Sequence, residues 1–263
     1  MGRQIILNTS LYFSPTGTTR RIVKSVSAGL AMRPREFDLT LPSVRDKGLS
    51  LERDEVLSLA FPVYHGRLPI LVKDFLLKLP NGKRPVVAMV VYGNRAYGDS
   101  LLELFDLCRA KGYEVVAAAA FVGEHSYSHV MGKGRPDPAD EERARCFGLA
   151  ARQTLLGDAY LTDKALLAKA KRPYRPYPQR LEFCPTTSRR CANCLTCVKL
   201  CPVGAFINGD PKNIDLERCI LCAACVKFCP ERAKSIGDDD FCDDMAALAA
   251  ANLDRKEPQI FLP

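Results

Sequence analysis

The stretch "YFSPTGTTRRIV", Tyr12 to Val23, joins the end of an apolar run to the start of a helical pattern. The spacing predicts a strand over Ile5–Phe13 and a helix over Thr18–Ala31. Between them lie four hydroxyl side chains, Ser14, Thr16, Thr18 and Thr19, with Gly17 allowing the backbone to curl. A loop of this kind offers hydroxyls and unpaired amides at a helix N-terminus, which is a seat for a phosphate. No lysine occupies the position that a nucleoside triphosphate loop requires, and no G-x-G-x-x-G is present. What remains is a monophosphate held without a cationic clamp, as in sites for flavin mononucleotide (FMN).

Downstream, strand patterns over Glu36–Thr40, Val56–Val63, Pro85–Tyr92 and Val115–Val122 alternate with helix patterns over Leu68–Leu79, Asp99–Lys111 and Pro138–Leu156. The last helix has Asp137 at its N-cap and Pro138 at its first position, both start signals. Runs such as "PVVAMVVY" are apolar on both faces and suit parallel strands buried between helices. The alternation predicts a doubly wound α/β layer, and five strands favour a parallel sheet of order 2-1-3-4-5, the flavodoxin-like order. Ligands bind such sheets at the carboxyl ends of the strands. "FPVYHGRLP" (Phe61–Pro69) and "YGNRAYGDS" (Tyr92–Ser100) end the third and fourth strands. Tyr64, Tyr92 and Tyr97 are the candidates for an aromatic face against a flat ring, with Tyr97 favoured. His65 and His125 are candidate proton donors there, since imidazole titrates near neutrality.

A second pattern occupies the C-terminal third. "CANCLTCVKLCP" (Cys191–Pro202) and "CILCAACVKFCP" (Cys219–Pro230) both read C-x2-C-x2-C-x3-C-P, within an internal repeat of about 28 residues. This is the bacterial ferredoxin run, in which the fourth cysteine ligates the other cluster. It assigns Cys191, Cys194, Cys197 and Cys229 to one 4Fe-4S cluster, and Cys219, Cys222, Cys225 and Cys201 to the second. Paired zinc knuckles need only four ligands and leave the third cysteine of each block without a use. Cys108 and Cys146 fall on helix patterns and are expected to be buried small hydrophobes. Cys184 and Cys242 receive no ligand role.

The 263 residues carry a formal charge of +8. The excess concentrates in 161–190, where eight basic side chains face two acidic ones. No nucleic-acid-binding signature accompanies this proline-punctuated stretch, so a solvated linker is expected rather than a nucleic-acid contact. No apolar run is long enough to span a membrane, no secretory leader is read in "MGRQIILNTSLYF", and clustered cysteines suit a reducing compartment. The expectation is a cytoplasmic protein. Its plan is an FMN-binding domain over 1–160, a basic linker over 161–183, a small α+β cluster domain over 184–240 and a tail over 241–263 with a short helix, Asp243–Leu253.

On "SPTGTT" the first part resembles the flavodoxins, and on the two cysteine runs residues 184–240 resemble the two-cluster bacterial ferredoxins. The whole is similar to flavodoxin–ferredoxin fusion proteins. The resemblance implies FMN bound through Ser14, Thr16, Gly17, Thr18 and Thr19. It implies ring contacts from Pro62, Val63, Tyr64, His65 and Gly66, and from Gly93, Asn94, Tyr97, Gly98 and Asp99. It implies an electron carrier serving redox partner proteins, with no residue assigned to catalysis. The competing expectation is an FMN-dependent oxidoreductase that reduces a small organic acceptor. Its mark would be an open pocket lined by Tyr64, His65, Tyr97 and His125. Were the two halves not in contact, a homodimer could set one chain's cluster against another's flavin. Arg20, Arg67 and Arg95 near the loops depart from acidic short-chain flavodoxins and place the usual flavodoxin partners in doubt.

Overall fold

The computed structural model describes residues 7–52, 54–157, 159–177, 185–237 and 239–263. Cys184 lies outside them. The first part runs β1 (Leu7–Tyr12), α1 (Thr18–Leu30), β2 (Arg33–Asp38), α2 (Pro42–Asp46), β3 (Glu55–Pro62), α3 (Ile70–Lys78), β4 (Pro85–Tyr92), α4 (Ser100–Ala110), β5 (Glu114–Val122) and α5 (Pro138–Leu156). These five strands pair in parallel in the order 2-1-3-4-5. Two apolar clusters cover the two faces of the sheet. Along β4, Val86, Ala88, Val90 and Tyr92 face one cluster, whereas Val87, Met89 and Val91 face the other, the period of two that a pleated strand imposes. On β5 the alternation breaks once. The pairing skips from Val115 to Ala117 opposite Val86 and Val87, so Val116 and Ala117 both enter the second cluster, as at a β-bulge. Each fully buried Val or Leu here is worth about 1.5–3 kcal/mol.

α5 starts where expected: Asp137 and Asp140 form a reciprocal capping box around Pro138. Its buried stripe is Asp140, Ala144, Phe147, Gly148 and Ala151. Cys146 lies off that stripe and is exposed, its Sγ 3.4 Å from Glu142, which corrects the expectation of burial. Cys108 is buried. β2 begins three residues earlier than expected and includes Pro34, which an edge strand tolerates.

The described part of the stretch expected as a solvated linker, 161–177, is a strap laid over the α/β layer. Leu161 and Leu166, the latter on α6 (Lys164–Leu167), are buried in the first cluster, and Leu161 N donates to Val115 O at 2.7 Å. Arg172 pairs with Asp106 and Asp163, and Tyr177 Oη donates to Leu68 O and Glu103. Arg172 and Arg175 thus have carboxylate partners, Asp106 and Asp99, that only the tertiary fold brings near.

The cysteine repeats form a small unit of β6 (Pro185–Thr187), α7 (Thr196–Leu200), α8 (Ala224–Lys227) and β7 (Lys234–Ile236), with β6 and β7 antiparallel. α9 (Asp239–Ala250) then leads to β8 (Gln259–Phe261). β8 pairs antiparallel with β5, so the sheet has six strands, the five parallel ones plus this late edge. Asn94 ties the return: its Nδ2 donates to Asn252 O and Asp254 O, and its Oδ1 accepts from Lys256 N. Among the described residues no helix is long and apolar enough to cross a membrane.

Candidate functional site

A cavity of about 560 Å³ opens at the carboxyl ends of the parallel strands. Its floor is the loop after β1. Gly17 takes φ 83° as the N-cap of α1, a conformation glycine adopts without steric cost. Ser14 shapes the loop, accepting from Arg20 N through Oγ at 2.9 Å. Among the described residues the amides of Thr16, Thr18 and Thr19 have no acceptor in the protein, and all three residues line the cavity. A helix of thirteen residues points its positive end at them. An anionic phosphate fits that donor set.

Pro62, Val63, Tyr64, His65 and Gly66 form one wall, with Gly93 beside them. Gly93 is required by space: a Cβ there would lie 2.6 Å from His125 Cδ2 and 2.7 Å from its Cα. Four residues expected at the ring face elsewhere or carry other partners. Asn94 anchors the tail. Tyr97 is buried with its hydroxyl on Gln259 at 2.7 Å, and its ring packs edge-on against Tyr92. Asp99 accepts from Arg175 N at 2.9 Å and so holds the strap, and Gly98 lies against Gly66 and Arg175. These four do not line the cavity, because the strap and the tail claim them.

The loop after β5 supplies a wall the sequence reading passed over except for His125: Gly123, Glu124, His125, Ser126 and Tyr127. The rule that ligands gather beyond strand ends applied to this loop too. Tyr127 N donates to His125 Nδ1 at 3.2 Å, which leaves the imidazole proton on Nε2. Burial, and then Arg95, lower the His125 pKa to about 4. Arg175 from the strap and Phe241, Met245 and Leu248 of α9 complete the enclosure. No local signal marks those four.

The eight cysteines of the repeats are free thiols. Cys191, Cys194, Cys197 and Cys229 line one cavity; Cys201, Cys219, Cys222 and Cys225 line a second. Each set therefore draws its fourth thiol from the other block. Among the described residues no three metal-ligating side chains converge on a single-ion site; the sulfurs surround a volume. Backbone geometry repeats with the sequence. Asn193, Leu195 and Gly204 have positive φ, and so do Leu221, Ala223 and Arg232, each 28 positions later. Alternating left-handed residues turn successive amides inward to make an anion-binding concavity, as at iron–sulfur sites. Ala205 N donates to Cys201 Sγ and Ala233 N to Cys229 Sγ, both at 3.3 Å. Donors to sulfur of this kind tune a cluster's potential.

The two sets are not equivalent in place. Leu221, Cys222, Ala223 and Ala224 are buried, whereas their counterparts Asn193, Cys194 and Leu195 are exposed. The inner set faces the large cavity: Tyr127 Oη donates to Leu221 O at 2.5 Å, and Ile220 packs against the same apolar cluster as Tyr64. Burial raises the phenols of Tyr64 and Tyr127, and the charge of Cys222 adds to the rise in both. Lys227 to Glu124 at 2.7 Å clamps the same contact. The two halves meet within one chain.

Fold and site define a doubly wound flavodoxin-like layer joined to a dicluster unit, with a redox role. Residues 190–234 match the family model described as a 4Fe-4S dicluster domain. Among solved structures, a flavodoxin from the domain Archaea aligns at 11% identity over 57% of this chain and 99% of its own, with TM-score 0.42. A flavodoxin, WrbA-like protein from Agrobacterium tumefaciens aligns at 14% over 58% and 99%, with TM-score 0.39. A mutant flavodoxin of Fusobacterium nucleatum bound to flavin mononucleotide aligns at 17% over 60% and 99%, with TM-score 0.40. No curated protein matches the sequence.

Proposed function

We propose that the chain is an electron carrier, moving electrons between FMN in the large cavity and two 4Fe-4S clusters on the cysteine sets, and exchanging them with redox partner proteins. The carrying observation is the contact of the cavity wall with the inner set, Tyr127 Oη on Leu221 O. The flavin supplies exchange between paired and single electrons, and each cluster supplies one-electron steps. The chain's own residues bind and insulate. The amides of Thr16, Thr18 and Thr19 would hold the phosphate, with Ser14 and Gly17 shaping the loop. Pro62 to Gly66, Gly93 and Tyr127 would flank the ring. His125 would present a neutral Nε2–H donor, and Phe241, Met245 and Leu248 would exclude water. Thiols used as ligands fit a reducing, cytoplasmic setting.

Anaerobically prepared protein is expected to hold one FMN and about eight irons per chain, and reduction of the clusters should be followed by reduction of the flavin within the same molecule. Flavin-free protein, or iron well below that amount, overturns the reading. A small-acceptor reductase is favoured by one feature, His65 and His125 on the same cavity. Steady turnover of a quinone that saturates with its concentration would select it over the carrier.

A further inference from the structure

The repeat has two matching faces, and among the described residues only one of them is packed against the rest of the molecule. The loop 220–224 of the inner set is docked on the α/β layer through Leu221 and Ile220. The matching loop, 192–196, repeats its backbone geometry at Asn193 and Leu195. Among the described residues nothing covers it: Ala192, Asn193 and Cys194 are exposed, and so is Leu195, an apolar side chain at 38%. The outer cysteine set thus reaches the surface behind a small apolar centre.

The rim of that centre is basic. Arg189, Arg190, Lys199 and Arg232 are exposed around it. Arg190 Nη2 donates to Arg232 O at 2.6 Å, which draws the two residues together. Among the described residues none of the four is paired with a carboxylate in a salt bridge, and Glu231 is the acidic side chain lining the outer cavity. Elsewhere the exposed arginines Arg21, Arg143, Arg145, Arg172 and Arg255 have acidic partners, whereas Arg20, Arg33, Arg95 and Arg152 are exposed singly and, among the described residues, are in no salt bridge. Unneutralised charge around an exposed redox set steers encounter with a partner of the opposite sign.

We propose that the face around Cys194 and Leu195 is the docking surface for an acidic redox protein, one that brings carboxylates around its own redox centre. The proposal rests on the electron-carrier reading above. The α/β layer occupies the inner face; the partner occupies its repeat. The encounter is of the small, transient kind that suits fast turnover.

The test uses the full, cluster-loaded chain, reduced and then mixed in a stopped-flow instrument with two protein oxidants, an acidic flavodoxin and the basic cytochrome c. A neutral quinone serves as a small-molecule control. The rate with the acidic probe is expected to fall roughly ten-fold from low to physiological salt. The variant Arg189→Glu, Arg190→Glu, Lys199→Glu should lower it roughly ten-fold or more and raise the rate with cytochrome c. The charge-neutral variant with Gln at the same three positions should fall between. Iron content and the quinone rate should stay at parent values, which separates docking from folding. An acidic probe that reacts at the same rate with parent and variant overturns the docking surface while leaving the carrier intact. Failure of the parent to load clusters overturns the carrier reading itself.

Discussion

Replacing Glu103 by Gln tests whether the strap is part of the site. Glu103 is 2% exposed and Arg67 5%. The carboxylate accepts four hydrogen bonds: from Arg67 Nε at 2.9 Å, Arg67 Nη2 at 2.6 Å, Leu68 N at 3.1 Å and Tyr177 Oη at 3.1 Å. The Arg67 guanidinium is also stacked on Tyr174 and Tyr177 of the strap. Glutamine keeps one oxygen as acceptor but removes the countercharge and turns an amide toward a cation. Breaking a buried pair costs about 3–5 kcal/mol; the surviving acceptor places this case near the lower end, about 3 kcal/mol. For a chain of this size that lowers the melting midpoint by about 6–12 °C. Because Arg175 follows on the same strap and lines the cavity, flavin affinity should fall as well, while the iron spectrum is retained. Asp106→Asn is the internal control. Its partner Arg172 is 39% exposed, so the loss should stay below about 1 kcal/mol. Differential scanning calorimetry with flavin titration reads all of this. An unchanged midpoint and flavin affinity in Glu103→Gln would refute the claim that this pair fastens the strap.

Three further outcomes follow from the same structure. His125 has a folded pKa of about 4 through burial and Arg95, below the unfolded value of about 6.5. The unfolded chain therefore takes the proton first, and stability complete above pH about 6.5 is lost as pH falls toward about 4, by about 2 kcal/mol after allowing for solvent in the cavity. His125→Gln should flatten that part of a pH-dependent denaturation series, and an unaltered acid limb would exclude the assignment. Gly93→Ala drives a Cβ into His125 and should weaken flavin binding at least roughly ten-fold at an overpacking cost of about 1–3 kcal/mol, with iron content unchanged; full flavin occupancy would contradict it. Lys234 is buried, donates to Thr187 Oγ1 at 2.7 Å and to Pro211 O, and opposes the burial-driven rise of both Cys197 and Cys225. Lys234→Met should therefore lower both cluster potentials by roughly 50–100 mV and Lys234→Arg should restore them, as followed by a spectroscopic redox titration; equal potentials in parent and Met variant would rule the effect out.

What could be read from the chain was whatever a short window carries. Val86 to Tyr92 alternates between two cores, and a strand buried on both faces shows this as an unbroken apolar run. The loop from Ser14 to Thr19 and the two cysteine runs place their chemistry within a dozen residues each. What could not be read depends on partners far away in sequence. Tyr97 looked like a ring-stacking residue because it sits in a strand-end loop, but Gln259 takes its hydroxyl. Asp99 and Asn94 have the right place and chemistry for a ligand, yet the strap and the tail use them. β8 has three residues, too few for any periodicity. The basic strap has the composition of a linker, and the distant partners Asp99, Glu103 and Asp106, with burial of Leu161 and Leu166, make it structure.

The path of the chain gives the redox arrangement a direction. Spatial order runs from the large cavity to Tyr64 and Tyr127, then to the inner cysteine set, then to the outer set and the surface. Sequence order does not, since α9 and β8 come last and return to close the cavity. The cavity's apolar cover, Phe241, Met245 and Leu248, is therefore covalently downstream of the cysteine unit, and a cavity sealed by α9 presupposes that unit folded against the α/β layer through Leu221 and Ile220. Metal-ligating cysteine units gain much of their folding free energy from the metal itself. Closure of the cavity is in this way linked to loading of the cysteine sets, and the outer face of the repeat is the one proposed above for exchange with another protein.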